Sequence, residues 1–313
     1  MPGVPAIELR GLSRTFGEIR AVDNLDLTIG SGEMFGLVGP DGAGKTTAIR
    51  MLCGILAPTT GTAIVLGHDL VRSPDLVKRE VGYLSQRFSL YGDLTVDENI
   101  EFFAGINGVM EYRARREELL GFTRLAPFRT RLADTLSGGM KQKLALACTL
   151  VHTPRILYLD EPTTGVDPVS RRDFWRILQS LQAGGITIVM STPYLDEAER
   201  CTRVALINEG RIMIVDRPAA IKEAMSGEVL EIVCDAVRRA AVLLRGASGV
   251  SEIQTFGDRL NVLVPEVAAV SASLRRLLED GGVRVSALRR IAPTLENVFI
   301  SLLTHSDHRS VQS

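Results

Sequence analysis

The sequence predicts an α/β chain: a parallel core sheet with an antiparallel β layer and a helical insert, followed by a small C-terminal βαββαβ module of ferredoxin-like order. Three observations carry that expectation. The N-terminal segments alternate apolar and polar residues, several later apolar runs are separated by helical stretches, and the pattern changes again near Gly227.

"AIELRGLSRTF" and "IRAVDNLDLTI" have the period-two alternation of half-buried strands in an antiparallel layer. "EMFGLVG" is apolar on both faces and ends in a glycine-rich turn, after which "KTTAIRMLCGIL" takes helical spacing. From "TVDENIEFFAGI" to Val151 the signals are mostly helical, an insert placed at about 88–150. "RILYLDEP", "ITIVMST" and "RVALINEG" are short apolar strands separated by helices, as in a parallel sheet covered on both faces. After "GRIMIVDRP" the order strand "EVLEIVCD", helix "AVRRAAVLLRG", strands "VSEIQTF" and "RLNVLVP" around Gly257-Asp258, helix "VSASLRRLLEDGG" and strand "VRVSALRRI" defines the module. The expected organisation is therefore 1–226 for the large domain, 227–304 for the small one, and a disordered polar tail over 305–313.

Composition narrows the function classes. A chain of 313 residues with 45% hydrophobic and 23% charged residues has ordinary globular composition. Its net charge of −1 leaves no basic footprint for nucleic acid, which is not expected as a partner. Cys53, Cys148, Cys201 and Cys234 are scattered through apolar segments and read as reduced core thiols, and the four histidines form no ligand-spaced cluster, so no structural metal site is expected. The N-terminus lacks signal-peptide features and no run reaches the ~18 apolar residues of a membrane span. The chain is expected to be soluble, with any spanning part supplied by another chain.

"GPDGAGKT", Gly39 to Thr46, fits G-x-x-x-x-G-K-[ST] between a buried strand and a helix, the context that motif requires. Gly42 and Gly44 let the backbone curl so that N–H groups face anionic oxygens at a helix N-terminus. Lys45 supplies a point charge for β- and γ-phosphates and Thr46 a hydroxyl for Mg²⁺, within a phosphate-binding set of Gly39, Pro40, Asp41, Gly42, Ala43, Gly44, Lys45, Thr46 and Thr47. "ILYLDEP" ends an apolar strand in two adjacent carboxylates: Asp160 is placed to serve Mg²⁺, and Glu161 to face the attacking water as general base. The plainer alternative is a helix-capping Asp-Glu pair. In "LSGGMKQK", Ser137, Gly138 and Gly139 make a second anion-seeking arrangement, or else an ordinary serine cap with glycines behind it.

The ordered set of Gly39–Thr47, Gln86, "LSGGMKQ", "ILYLDEP", "TTGVDP" and "STPYLDEAE" resembles the ATP-binding subunit of an ATP-binding cassette (ABC) transporter, over nearly the whole chain. The resemblance implies a P-loop NTPase cassette of which two copies, identical or different, sandwich two ATP molecules. Each ATP would lie between the P-loop of one cassette and the LSGG segment of the other. It implies ATP and Mg²⁺ as ligands and membrane-spanning transporter subunits as partners, on the cytoplasmic face of the membrane. Residue by residue, Phe16 matches the aromatic that stacks on adenine, although it could instead be a core residue of the antiparallel layer. Gln86 matches the glutamine that reaches Mg²⁺ and the attacking water, about Arg87 to Phe103 the surface that docks on the membrane subunit, and Asp167 the aspartate that communicates between the ATP sites. "TVDENIEFFAGI", "YLDEAE" and "PTLENVFISLL" are most similar to drug- and polysaccharide-export members, and the combination of "GPDGAGKTT", "SRR" after "GVDP" and a non-histidine residue, Pro193, at the switch position also resembles the first half of tandem-cassette exporters.

Two positions depart from the family pattern. Asp41 replaces a common asparagine, and its side chain is expected to face away from the phosphates. Pro193 stands where the family uses a histidine to contact the γ-phosphate, and proline offers neither a side-chain donor nor an N–H. With Thr192 as N-cap and Pro193 as first helical residue the fold would tolerate it. Slow hydrolysis through Glu161 within an asymmetric pair is the expectation, with a homodimer as the rival arrangement and an ATP-dependent clamp as the alternative function. Non-transport ABC proteins typically show paired cassettes in one chain or a long coiled-coil insert, and neither is present.

Overall fold

A computed structural model describes residues 4–86 and 90–310. These divide into two compact units at Val215/Asp216. The first three residues of the expected docking segment, Arg87 to Ser89, and the last three of the expected tail lie outside the described residues.

In the first unit, β1 (Pro5–Phe16) and β2 (Ile19–Gly30) form a long hairpin in which Leu9 faces Leu27. β3 (Met34–Val38) leads into α1 (Lys45–Leu52), then come β4 (Thr60–Val65), β5 (His68–Asp69), α2 (Pro74–Glu80) and β6 (Val81–Leu84). The helical insert contains α3 (Val96–Ile106), α4 (Tyr112–Thr123) and α5 (Gly138–Leu150). β7 (Ile156–Asp160), α6 (Pro168–Ala183), β8 (Thr187–Thr192), α7 (Leu195–Ala198), β9 (Arg203–Asn208) and β10 (Arg211–Asp216) complete it.

The two sheets follow from the two sequence patterns. The alternating segments give the antiparallel layer β2-β1-β4-β5. The continuous apolar runs give the core sheet β10-β9-β3-β8-β7-β6, with every residue of β3, β7 and β8 buried, as parallel strands covered on both faces require. Strands β6, β7, β8, β3 and β9 run parallel, so the carboxyl ends of β3, β7 and β8 open on the same edge. In open parallel sheets that edge is where ligands bind. Leu9 and Ile29 of the antiparallel layer, Phe35 and Tyr158 of the core sheet and Ile49 of α1 belong to one apolar cluster.

The insert is organised around α3, whose start carries a capping box: the Thr95 hydroxyl accepts from the Glu98 N–H while the Glu98 carboxylate accepts from Thr95. Asn99, fully buried, holds the preceding turn by donating to the carbonyls of Tyr91 and Leu94. Tyr91 and Phe102, within the segment expected to dock on a membrane subunit, are partly exposed with ring centroids 4.4 Å apart. Among the described residues no helix is long and apolar enough to cross a membrane.

The second unit contains α8 (Pro218–Glu223), β11 (Glu228–Cys234), α9 (Val237–Leu244), β12 (Glu252–Phe256), β13 (Arg259–Val264), α10 (Val267–Asp280), β14 (Val285–Ile291) and α11 (Leu295–Ser310). Its antiparallel sheet has the order β12-β13-β11-β14, with Leu230, Ile232, Leu260 and Val262 packed against Leu274 and Leu278 of α10. That is the βαββαβ arrangement. On the other sheet face Glu231 is buried between Arg259 and Arg289.

Two boundaries differ from expectation. The unit begins at Asp216 rather than Gly227, because α8 packs against α11 within it. The polar stretch from His305 was expected to be disordered, yet α11 continues to Ser310. No glycine or proline interrupts residues 295–310, and Thr294 caps the start of the helix reciprocally with Asn297.

Candidate functional site: a phosphate cradle with a carboxylate beside it

The cradle is the turn from β3 into α1. Two glycines are demanded by geometry: a Cβ on Gly39 would strike the Ile207 carbonyl, and Gly44, at φ +97°, lies against the Ala21 carbonyl. Because Gly44 is also the N-cap of α1, no side chain caps that helix, and its first N–H groups remain for an external anion. The result is an open pocket of about 290 Å³ lined by Asp41 to Thr47 with Ala21, Gln86 and Glu161. Asp41, expected to turn away from the phosphates, is exposed and contributes to that lining.

Lys45 is 3% exposed, and its ammonium donates to the carbonyls of Gly39 (2.8 Å) and Pro40 (2.9 Å). It also lies 3.4 Å from Glu161 Oε1. The charge is therefore folded back along the loop and paired, ready to be exchanged for phosphate oxygens. Thr46 donates to Asp160 Oδ1 (2.9 Å), and Ser191 donates to the same oxygen (2.7 Å). Asp160 is fully buried at the end of β7, where these hydroxyls offset the cost of desolvating its charge. Tyr83 reaches the other oxygen at 3.5 Å, and burial raises the pKa of that phenol. The Thr46 hydroxyl, the Asp160 carboxylate and the Gln86 side-chain carbonyl form an all-oxygen donor set, which fits a hard cation such as Mg²⁺.

Glu161 follows in a left-handed conformation, φ +48°, uncommon for a residue with a side chain and of a kind that concentrates at functional sites. Its N–H donates to the Ser191 hydroxyl at 3.0 Å, which holds the turn and sends the carboxylate into the pocket. There Gln86 Nε2 donates to Glu161 Oε2 at 2.9 Å. The helix-capping alternative for this pair is not what the structure shows, since α6 begins only at Pro168.

The remaining sequence-predicted residues lie outside the pocket lining. Ser137 caps α5 by accepting from the Met140 N–H (3.4 Å), with Ser137 and Gly138 exposed. Gly139 is buried, and a Cβ there would strike Ser170 of α6. Asp167 caps α6, accepting from the N–H groups of Val169 and Ser170 at 3.0 Å each. Hydrogen bonding from the Ser170 side chain, then from its N–H, holds the Asp167 carboxyl below its usual range. Phe16 ends β1 with 44% of its surface exposed, so it is not a core residue of the antiparallel layer.

Pro193 requires a correction. Helix α7 starts at Leu195 with Tyr194 as N-cap, so Pro193 is not its first residue and Thr192 is not its cap. The Thr192 hydroxyl is already committed: it accepts from the Tyr194 N–H (3.0 Å) in a local turn and donates to Glu197 Oε2 (2.8 Å). That turn, half-buried at Pro193, separates strand from helix.

Sequence reasoning missed Glu197, although it sits inside the quoted "YLDEAE". Its carboxylate is 1% exposed and accepts from Thr163 (2.5 Å) and Thr192, with Arg171 Nε 3.6 Å away. Arg171 also stacks over Tyr194, its guanidinium carbon 4.9 Å from the ring centroid. One carboxylate thus ties together the loop after Glu161, the turn at Pro193 and the helix capped by Asp167. Replacing it, Glu197→Leu, strands two buried hydroxyls and is expected to cost about 3 kcal/mol. A lowered thermal midpoint would register this, and an unchanged one would show that the network contributes nothing.

The parallel sheet, the phosphate cradle at its edge and the paired carboxylates define a P-loop nucleotide-binding protein. Residues 22–164 match the ABC transporter family model. The probable multidrug ABC transporter ATP-binding protein YbhF of Escherichia coli is 44% identical over 71% of this chain, which spans only 39% of that relative's length. The daunorubicin/doxorubicin resistance ATP-binding protein DrrA of Streptomyces peucetius is 38% identical, over 98% of this chain and 95% of its own. The Nod factor export ATP-binding protein I of Rhizobium leguminosarum bv. viciae is 38% identical, over 95% and 94%. Among solved structures, an ATP-binding subunit of an ABC transporter superposes with a TM-score of 0.63 at 28% identity, covering 70% of this chain and 92% of its own. The dimeric ABC transporter cassette MJ0796 gives 0.61 at 27%, covering 67% and 98%. The chain belongs to the ABC transporter family, among its ATP-binding subunits, a class of ATPases.

Proposed function

We propose that this chain hydrolyses ATP to drive export through separate membrane subunits, docked on them at the cytoplasmic face of the membrane. The observation that carries the reading is the convergence of Lys45, Glu161 and Gln86 on one pocket at the P-loop. The names of the relatives that match end to end, drug resistance and Nod factor export, support export.

When a triphosphate enters, its β- and γ-oxygens replace Glu161 and the loop carbonyls as partners of Lys45. The uncapped N–H groups of α1 take further phosphate oxygens. Glu161, released from the ammonium, accepts a proton from water as that water's oxygen bonds to the γ-phosphorus and the bond to the bridging β,γ-oxygen breaks. Gln86, hydrogen-bonded to Glu161, orients that water. Thr46, Asp160 and Gln86 would hold Mg²⁺, which when bound neutralises phosphate charge.

Ser137, Gly138 and Gly139 would serve the nucleotide of a second cassette, and the exposure of Ser137 and Gly138 outside this chain's own pocket supports that role. Asp167, exposed near the same helix ends, would couple the two sites. Pro193 makes the site slow. If the second cassette carries the histidine, its P-loop site turns over faster than this one. In a homodimer both sites are slow. A clamp that binds ATP with little turnover is the second reading, favoured by Pro193 alone.

Lys45→Met tests the cradle. ATP binding to the full chain is expected to weaken about tenfold or more, since one charge-assisted anchor is lost in a desolvated site. Unchanged affinity by equilibrium titration would remove Lys45 from the reading.

A further inference from the structure

Phe16 presents a ring at the end of a hairpin where its neighbours Gly17, Glu18 and Ile19 are all exposed. One face of that ring is already covered: the guanidinium carbon of Arg14 lies 4.5 Å from its centroid. Arg14 is itself anchored, its Nη1 donating to the Ala57 carbonyl at 2.8 Å. Ala57 belongs to the segment that leaves α1, the helix of the phosphate cradle. The same segment is laced to β1 twice more, by Thr15 N–H to the Thr59 hydroxyl (3.1 Å) and by Thr59 N–H to the Ser13 carbonyl (2.8 Å).

We propose that Arg14 is a positioning residue for the nucleotide base: it backs Phe16 from beneath, so that a purine stacks on the opposite face, and fixes the distance between that face and the phosphate cradle. The inference rests on the reading of Phe16 as the adenine platform. An unsupported phenylalanine on a hairpin end samples several rotamers and must surrender them when a base stacks. A cation held over one face confines the ring beforehand, and the hydrogen bond to Ala57 ties that restraint to the exit of α1. A lysine would retain the charge but lacks the flat group that can stack and reach a carbonyl together.

The test is equilibrium binding of ATP and of inorganic tripolyphosphate to the full chain carrying Arg14→Ala, Arg14→Lys, Phe16→Ala or Arg14→Ala with Phe16→Ala. Arg14→Ala is expected to weaken ATP about fivefold and leave tripolyphosphate unchanged, because an exposed cation–π contact is of that size. Arg14→Lys should recover part of the loss, and Arg14→Ala should add nothing once Phe16 is gone. Tripolyphosphate binding also reports that the cradle is folded in each variant. Equal weakening of both ligands by Arg14→Ala would overturn the proposal, since the cation would then serve the phosphates or the fold. Weakening by Phe16→Ala but not by Arg14→Ala would overturn it and spare the platform. ATP affinity indifferent to Phe16→Ala would remove the platform and the proposal with it.

Discussion

Glu161→Gln lowers ATP turnover by about 10²–10⁴-fold while ATP still binds, the size of a lost general base. The geometry makes this a clean removal. Glu161 lies 3.4 Å from Lys45 and accepts from Gln86 at 2.9 Å, so a glutamine keeps the volume and one acceptor but loses the charge and the proton-accepting oxygen. The backbone is not disturbed, because the strained turn at φ +48° is held by the N–H of residue 161 and the Ser191 hydroxyl. Freed from its carboxylate, Lys45 has only loop carbonyls and phosphates as partners, so affinity for ATP should be retained or improved. Parallel measurements of bound nucleotide and released phosphate distinguish this from unfolding. Turnover at the wild-type rate would mean that Glu161 is not the base.

Pro193→His is the complementary change, and it should accelerate hydrolysis. A single preorganised donor at the reacting phosphate is typically worth about 10²–10³ in rate. The cradle residues Asp41 to Thr47, Gln86 and the proposed base Glu161 already line one pocket. The turn can accept histidine: its hydrogen bonds come from Thr192, which accepts from Tyr194 and donates to Glu197, and not from proline. Position 193 precedes the cap of α7, so no helical geometry depends on the pyrrolidine ring. Thermal stability should therefore stay close to that of the parent chain.

Those two positions also show where the sequence was readable. Gly39 to Thr46 and Asp160-Glu161 stand at the ends of short, wholly apolar strands, and the strand pattern alone places them on one edge of a parallel sheet. Local chemistry there is dictated by local sequence. The start of α7 was misread because a threonine before proline looks like a cap, whereas Thr192 is committed to Glu197, five residues on, and to a turn. The boundary at Asp216 was missed because α8 is short and packs against α11, more than seventy residues later. Arg14 was invisible for the same reason: its partners are a ring two residues away and a carbonyl at Ala57. Motifs carry the chemistry, but the side-chain contacts that brace them, near or far along the chain, leave little pattern in it.

On the proposed function, the ATP site lacks only the donor that Pro193 cannot supply. Single-turnover hydrolysis of bound ATP, compared between the parent chain and Pro193→His, tests it most directly, with Glu161→Gln added to each as control. The parent is expected to hydrolyse slowly, Pro193→His at least about tenfold faster, and both rates should be lost with Glu161→Gln. Equal rates for the parent and Pro193→His, at equal ATP affinity, would contradict it.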